Sequence, residues 1–281
     1  MVHLGLGEAK LIGKHAEELF SAPGFSGRVL AVVTDAIYLQ MADAEILWLA
    51  QNNVPMHARA LRGDFDLSRL RVGMSFRSDG ARLQFDVRAQ RVAPLQFADT
   101  RVWQPAMFDP ARVAPSEVVR TRAEKWYTAA QGNHTGLPLQ NDIARACRDR
   151  DLACVTEIVR GLIGLGDGLT PSGDDFVGGL LFAVYHLRAA YPGAVRWEQR
   201  AIDDLLEYAR GRTNDISHAL LRDHARGQGA EPLHDWIAAM LSVGEPGDMA
   251  RLAARLIEIG STTGKNILAG AATGMFLLAA D

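Results

Sequence analysis

Short apolar runs with a period of two fill the first hundred or so residues and end at turn residues, a pattern typical of β-strands. The pattern predicts strands at 28–33, 36–41, 45–50 and 56–61. Within 74–85, Asp79-Gly80 separates two alternating segments and predicts a hairpin. One early helix is expected over 9–20. We therefore expect an N-terminal antiparallel sheet or small barrel.

The period changes after the proline-containing segment 105–115, which suits a linker. Beyond it, apolar residues recur at helical spacing, and no strand is needed. The predicted helices span 116–132, 138–149, 151–163, 174–191, 197–210, 215–227, 231–243, 247–259 and 264–280. The helices 174–191 and 264–280 are the most apolar and should lie at the centre. The expected fold class is α+β, with a mainly β domain over 1–108 and an all-α domain over 116–281.

Composition and charge narrow the functional classes. A hydrophobic content of 48% with 22% charged residues is typical of a globular protein. A net charge of −3, with no run of Lys and Arg, argues against a nucleic-acid partner. No apolar run reaches the ~18 residues that a membrane span needs, and the N-terminus lacks the order of a signal peptide. The two cysteines, Cys147 and Cys154, are predicted to be buried thiols on one helical face in a reducing compartment, so we expect a cytoplasmic protein.

The densest polar chemistry lies in the segment Gly164-Leu-Gly-Asp-Gly-Leu-Thr-Pro-Ser-Gly-Asp-Asp175, which leads into the first of the two apolar helices. A similar segment, Ser261-Thr-Thr-Gly-Lys-Asn266, leads into the second. Hydroxyl, glycine, polar and apolar positions align between 170–179 and 261–270. The likeness predicts two helix N-termini that are built in the same way, and it leaves open whether they face each other.

The first turn of a helix attracts anions, because it exposes unpaired backbone N–H groups and a partial positive charge. Glycines let a ligand approach the backbone, and hydroxyl groups add donors. A phosphate or carboxylate group is therefore the expected ligand. The candidate ligand-binding residues are Gly166, Gly168, Thr170, Ser172, Gly173, Thr262, Thr263, Gly264 and Asn266.

Asp174 and Asp175 would repel such an anion, so their charge needs a partner. Three partners are possible: a Mg²⁺ ion that bridges carboxylate and phosphate oxygens, an amide or amino group of the substrate, or Lys265. The candidate catalytic residues are Asp174, Asp175 and Lys265, and the two acids would hold the metal if Mg²⁺ is the cofactor. In a plainer alternative, Ser172 caps the helix and both acids stabilise its dipole.

Two further polar groups are predicted to have structural roles. Arg212-Thr-Asn-Asp-Ile-Ser217 opens another helix, where capping is the first interpretation. Its side chains Thr213, Asn214 and Ser217 are candidates for a shared pocket. The histidines show no metal-ligand spacing and are predicted to lie at the surface or between helices. These histidines are His186, His218, His224 and His234.

The motif Gly166-x-Gly-Leu-Thr-Pro-Ser-Gly-Asp-Asp175 resembles the signature of the AllH-type family of bacterial proteins. Supporting matches are Asn53-Val-Pro55, Ile216-Ser217 and Ile259-Gly260-Ser-Thr-Thr-Gly264, so the resemblance spans most of the chain. It implies a subunit of oxamate carbamoyltransferase, which converts oxalurate and phosphate to oxamate and carbamoyl phosphate in anaerobic allantoin breakdown. It also implies partner subunits of FdrA-like and AllG-like type.

Three functional hypotheses follow. In the first, the chain is a carbamoyltransferase subunit: the glycine-rich residues bind the anion, an Asp orients the amide or holds Mg²⁺, and Lys265 stabilises charge on the leaving phosphate. In the second, it is a non-catalytic subunit that binds a metabolite or serves as a scaffold. In the third, it is a Mg²⁺-dependent enzyme for another phosphorylated substrate. A homo-oligomer is compatible with all three hypotheses.

Overall fold

The computed structural model describes residues 6–22, 24–86, 93–106, 109, 112–132, 137–244 and 248–279. The chain divides into two compact units, Met1–Pro105 and Ala106–Asp281. The first unit contains a sheet with one helix, and the second is built from helices. The expected α+β class is therefore confirmed.

The strands of the first unit form one curled sheet, which resembles half of a barrel. Its strands among the described residues are β1 (Gly7–Gly13), β2 (Ser26–Val32), β3 (Ala36–Met41), β4 (Ile46–Gln51), β5 (Ala60–Phe65), β6 (Ser75–Ser78), β7 (Arg82–Phe85), β8 (Leu95–Gln96) and β9 (Arg101–Trp103). Their order is β8-β7-β6-β2-β3-β4-β5-β1-β9. The pairs β4–β5 and β1–β9 are parallel, and the other described pairs are antiparallel.

The alternation of apolar positions places the core of this unit on one face of the sheet. In β3, Ile37 and Leu39 are buried in that core. The helix α1 (Lys14–Phe20) contributes Phe20, whose ring centroid lies 5.4 Å from that of Phe25. The predicted hairpin is confirmed: β6 and β7 are antiparallel, and the Asp79 carboxylate accepts the Arg82 N–H at 2.8 Å.

Two sequence predictions in this unit were wrong. The segment expected to be one helix over 9–20 begins as β1, because Leu11 and Ile12 pair with β5 across the sheet. Gly13, at the end of β1, lets the strand pass close to the main chain at His57. The strand expected at 56–61 starts only at Ala60, since a turn closed by the Ala60 N–H and the His57 carbonyl precedes it.

The second unit is helical, as predicted. Its helices among the described residues are α2 (Ser116–Gly132), α3 (Gln140–Asp149), α4 (Leu152–Leu162), α5 (Ser172–Ala190), α6 (Gln199–Ala209), α7 (Asp215–His224), α8 (Glu231–Leu241), α9 (Met249–Ile257) and α10 (Thr263–Gly274), which continues into a 3-10 turn. The expected central position of α5 and α10 is confirmed, because most of their residues are buried in the core. Within the described ranges, no helix combines the length and hydropathy needed to cross a membrane.

The two cysteines do not share a helical face, contrary to prediction. The helix α3 ends at Asp149, and Arg150 has a φ of +57°, which redirects the chain before α4 starts. Cys147 is buried and Cys154 is half-buried, and both thiols are free. Burial raises the pKa of the Cys147 thiol to about 12, so this thiol stays protonated and unreactive.

Candidate functional site

Helices α5 and α10 run in the same direction and pack backbone against backbone. A Cβ on Gly270 would lie 1.9 Å from the carbonyl oxygen of Phe176, and one on Gly179 would lie 2.1 Å from that of Ile267. Phe176 and Ile267 are the fifth residues of their helices, and the two glycines are the eighth. The contact is therefore reciprocal, as a two-fold axis between the helices would make it. The small residues Gly179 and Gly270 thus allow the two helix backbones to come into contact.

The same symmetry relates the turns before the two helices. The Gly173 N–H donates to the Leu165 carbonyl at 2.8 Å, and the equivalent Gly264 N–H donates to Ile259 at 2.9 Å. Leu165 precedes Gly173 by eight positions, whereas Ile259 precedes Gly264 by five. The first loop is thus three residues longer than the second.

The hydroxyl groups of Thr170 and Thr263 join the two helix N-termini directly. Their Oγ1 atoms lie 2.9 Å apart. The two segments that align in the sequence therefore face each other in the structure. The positive ends of both helix dipoles meet at this point.

Asp174 is enclosed by hydrogen-bond donors from the protein. Its carboxylate, 2% exposed, accepts the Gly164 N–H at 2.7 Å and the Ser217 hydroxyl at 2.7 Å. The Thr213 hydroxyl is a third donor. Both oxygens are therefore occupied, and the side chain joins the glycine-rich loop to the start of α7.

The polar segment before α7 has two roles. The Asn214 side chain accepts the Ser217 N–H at 3.0 Å, which confirms the predicted helix cap. Thr213 and Ser217 direct their hydroxyl groups to Asp174. Sequence reasoning missed this second role, because nothing in the spacing of the two segments shows that they meet.

Asp175 is buried and keeps unused hydrogen-bonding capacity. It is 5% exposed, and its Oδ2 atom has no partner among the described residues. Burial, and to a smaller extent the nearby Asp174, raise the pKa of this carboxyl, and the hydroxyl groups of Thr263 and Thr170 lower it, so that the resulting pKa is about 8. At neutral pH most of the Asp175 carboxyl is therefore uncharged, and it can donate a proton.

Asn266 occupies the position in α10 that Asp175 occupies in α5, because each is the fourth residue of its helix. Its side chain is 0% exposed, and neither polar atom has a partner among the described residues. Buried amides almost always form hydrogen bonds, so a side chain of this kind indicates a group that binds a ligand. Asn266 is therefore a candidate ligand-binding residue on structural grounds as well.

Of the three predicted partners for the two adjacent acids, Lys265 is the one that the described residues test. Lys265 is half-buried and forms no ion pair with any described residue, so it neutralises neither acid. Three protein donors stabilise the charge on Asp174, and protonation removes most of the charge from Asp175. An anion at the helix N-termini therefore meets little repulsion.

Backbone donors remain available at both helix N-termini. The N–H groups of Ser172 and Asp174 have no acceptor among the described residues, and the same holds for Thr263 and Lys265. In each helix these are the first and third residues. The paired N-termini thus present four N–H donors.

The other candidate residues divide into exposed and packed positions. Gly166 and Gly168 are exposed, with φ values of +115° and +92° that favour glycine. Gly173 and Gly264 are buried, and a Cβ on either would collide with a carbonyl oxygen of the preceding helix. Thr262 is exposed at the N-cap position of α10 and forms no side-chain cap.

The plainer alternative, in which Ser172 caps α5, was wrong. Pro171 occupies the N-cap position, Ser172 is the first helical residue, and no side-chain cap is formed. Both acids do lie in the first turn, where a negative charge interacts favourably with the helix dipole, although Asp175 is mostly uncharged at neutral pH. The N-terminus of α5 therefore has no hydroxyl cap, and helix capping does not explain why the motif contains Ser172.

Three histidines surround Phe182 in the core, as the packing interpretation predicts. The ring centroids of His186, His234 and His224 lie 4.4, 5.0 and 6.0 Å from that of Phe182. Burial lowers the pKa values of His186 and His224 to about 4, so both are neutral at pH 7. In the part of the chain that the structure describes, no group of three or more His, Cys, Asp or Glu side chains could hold a metal ion.

Two surface cavities lie away from the N-termini of α5 and α10. One of about 470 Å³ is bordered by Arg150 and Arg196, and one of about 830 Å³ lies between α4 and α6. Neither is lined by a candidate residue of the site. The site at the helix N-termini is therefore indicated by unused donors and acceptors, not by the size of a cavity.

Comparison with known proteins adds one finding. The family model described as oxamate carbamoyltransferase subunit AllH matches residues 162–275. Neither the curated proteins nor the solved structures gave a match. The matched region contains both helix N-termini and the start of α7. Over that region, the chain is confirmed to resemble the AllH-type family of oxamate carbamoyltransferase subunits.

Proposed function

We propose that the chain is a subunit of oxamate carbamoyltransferase that binds a small anionic metabolite at the paired N-termini of α5 and α10. The observation that carries the proposal is the presence of two buried side chains, Asp175 and Asn266, with unused polar atoms at facing helix N-termini. These N-termini lie inside the region matched by the AllH family model.

The anion is held mainly by the protein backbone. Four unbonded N–H groups and two helix dipoles favour a phosphate or carboxylate group at this point. Lys265 adds a cation that is not engaged elsewhere among the described residues. The exposed Gly166 and Gly168 let the ligand approach the loop.

In the proposed reaction, a phosphate oxygen attacks the carbamoyl carbon of oxalurate. The bond between that carbon and the oxamate nitrogen breaks, and carbamoyl phosphate and oxamate are released. The leaving nitrogen needs a proton, which the neutral Asp175 carboxyl donates and regains from the hydrogen phosphate. The N–H groups and Lys265 stabilise the negative charge that develops, each on the order of 3 kcal/mol.

Asp174 is a positioning residue in this proposal. Its carboxylate fixes Gly164 and Ser217 relative to each other, and thereby the loop that carries the exposed glycines. A Mg²⁺ ion at the acid pair would have to displace three protein donors from Asp174. No step of the proposed reaction is therefore assigned to the metal.

The test is phosphorolysis of oxalurate by the chain reconstituted with FdrA-like and AllG-like subunits. Asp175→Asn should lower kcat at least 100-fold while the fold is unchanged, because the amide cannot transfer the proton. The matched control is Asp167→Asn, an exposed acid in the same loop, which should keep full activity. Full activity of the Asp175 variant would favour a scaffolding role, provided that the complex without this chain is inactive.

A further inference from the structure

We infer that the two helix N-termini are opposite halves of one asymmetric site: the α10 half binds the anionic end of the ligand, and the α5 half binds its amide end. The inference rests on the proposed function and assigns a direction to the ligand.

The first turns of the two helices form the same backbone hydrogen bonds, so their N–H groups do not set this direction. The reciprocal glycine contacts relate α5 to α10. The second N–H of each helix is bonded to the loop before it, and the fourth is bonded to the residue at the cap, at 3.0 Å in both helices. Within these first turns, discrimination between the two ends of a ligand must therefore come from the side chains.

Side chains at the third and fourth helical positions differ in charge between the halves. Asp174 in α5 is equivalent to Lys265 in α10, and Asp175 is equivalent to Asn266. One half therefore carries two acids, of which Asp175 is mostly uncharged at neutral pH, and the other carries a cation and a neutral amide. A negatively charged group is favoured on the side of Lys265, because the α5 half offers it no cation at the equivalent position.

The fourth residues supply the buried polar atoms that a ligand would bond. Side chains of an α-helix lean towards its N-terminus, so the fourth residue reaches the start of the helix. Asp175 does so, since it bonds to Thr170 and Thr263 and keeps Oδ2 unbonded. Oδ2 can accept an amide N–H, and the Asn266 amide can donate to a carboxylate or phosphate oxygen.

Three ligands of nearly equal size distinguish the two ends: oxamate has one carboxylate and one amide, oxalate has two carboxylates, and oxamide has two amides. Calorimetric titration of the full chain at about pH 9, where the Asp175 carboxyl is mostly ionised and only accepts hydrogen bonds, should give oxamate an affinity at least 10-fold above that of oxalate or oxamide. At the same pH, Asp175→Asn should bring the affinities for oxamate and oxalate within about 3-fold, because the amide N–H accommodates a carboxylate.

Variants in the α10 half should change the affinity for ligands that have an anionic end. Asn266→Asp should weaken the binding of oxamate and oxalate at least 10-fold and leave oxamide unchanged. Lys265→Glu should do the same, and its half-buried position makes it the variant less disruptive to folding. Lys125→Glu, the same change at an exposed position of α2, is the control and should bind as the wild type does.

The outcomes separate the two proposals. If the wild-type chain binds neither oxamate, oxalate nor inorganic phosphate, both the proposed function and this inference fail. If it binds these anions with equal affinity for oxamate and oxalate, or if the ratio of these two affinities does not change in Asp175→Asn, only the inference fails. Binding of oxamate that is unaffected by Lys265→Glu would likewise overturn the assigned direction.

Discussion

The first turns of α5 and α10 form the same backbone hydrogen bonds and have very different polar surroundings. At the start of α5, Asp174 receives three protein donors, and the hydroxyl groups of Thr170 and Thr263 act on Asp175. At the start of α10, the equivalent side chains of Lys265 and Asn266 form no hydrogen bond with a described residue. Glycine fixes the geometry in both helices, whereas the third and fourth residues decide whether the protein or a ligand satisfies the polar groups.

The largest effect should come from breaking the backbone contact on which both helix N-termini depend. Gly270→Ala places a Cβ against the Phe176 carbonyl, which belongs to the backbone and cannot rotate away. We expect the free energy of unfolding to fall by about 3 kcal/mol, because the two helices must separate. Urea denaturation followed by circular dichroism measures this loss.

The control for that variant is Gly161→Ala in α4, where a Cβ meets no atom within 4 Å. Alanine is the better helix former, so this change should stabilise the protein by roughly 0.5–1 kcal/mol. Equal effects of the two substitutions would mean that α5 and α10 do not rely on their close approach.

The next-largest effect should come from the N-terminus of α5, whose side chains form more hydrogen bonds with the protein than those of α10. Asp174→Ala leaves the Gly164 N–H and the hydroxyls of Thr213 and Ser217 without their acceptor. The expected loss is about 2 kcal/mol in the free energy of unfolding, since buried donors lose their partner. Asp167→Ala, in the exposed part of the same loop, should change the stability by less than about 0.5 kcal/mol. A neutral result for Asp174→Ala would show that the loop is held by other contacts.

A pH dependence distinguishes Asp175 from its equivalent Asn266, which does not titrate. The folded-state pKa of about 8 lies above the ordinary value of 3.8, so between these values the folded chain binds more protons than the unfolded chain. Stability due to this group is therefore fully present below about pH 4 and is lost as the pH rises through about 8, by up to roughly 1.4 kcal/mol per pH unit. Denaturation at several pH values measures it.

The Asp175→Asn variant should lose this decrease of the free energy of unfolding with pH. It should be more stable than the wild type at pH 8, because it buries no charged group at this position. The buried histidines act in the opposite direction below about pH 6.5, and they are unchanged in the variant, so the difference between the two proteins isolates Asp175. Parallel stability curves for the two proteins from pH 4 to 8 would contradict the raised pKa.

The helical unit could be predicted more accurately from the sequence than the sheet. Helices such as α2 and α5 are formed from local periodicity, and their predicted ends lie within about two residues of the observed ones. The segment before α1 was predicted to be helical, and its pairing with β5 decides otherwise. Such pairing depends on residues about fifty positions away, which a local pattern does not contain.

For the site, the alignment of two short motifs correctly predicted two equivalent helix N-termini. Their direct contact through Thr170 and Thr263 was left open, since 93 positions separate the two residues. The partners of Asp174 and the raised pKa of Asp175 could not be predicted, because both depend on burial and on contacts with α7 and α10. Residue types therefore predict a class of ligand for the site, whereas the charges of its side chains can be predicted only when the fold is known.

The smallest effect concerns the hydrogen bond that joins the N-termini of α5 and α10. Thr170→Val and Thr263→Val each remove one hydroxyl of the pair at 2.9 Å, and the intact pair has one O–H left for Asp175. Because both residues are half-buried, we expect each change to lower the free energy of unfolding by about 1 kcal/mol. The double variant should be less destabilised than the sum of the two, with a coupling energy of at least about 0.5 kcal/mol.

Thr128→Val, which removes a hydroxyl bonded only within α2, serves as the control and should not couple to either. Strictly additive effects at 170 and 263 would mean that each threonine acts on its own helix, and that α5 and α10 are not joined through their hydroxyl groups.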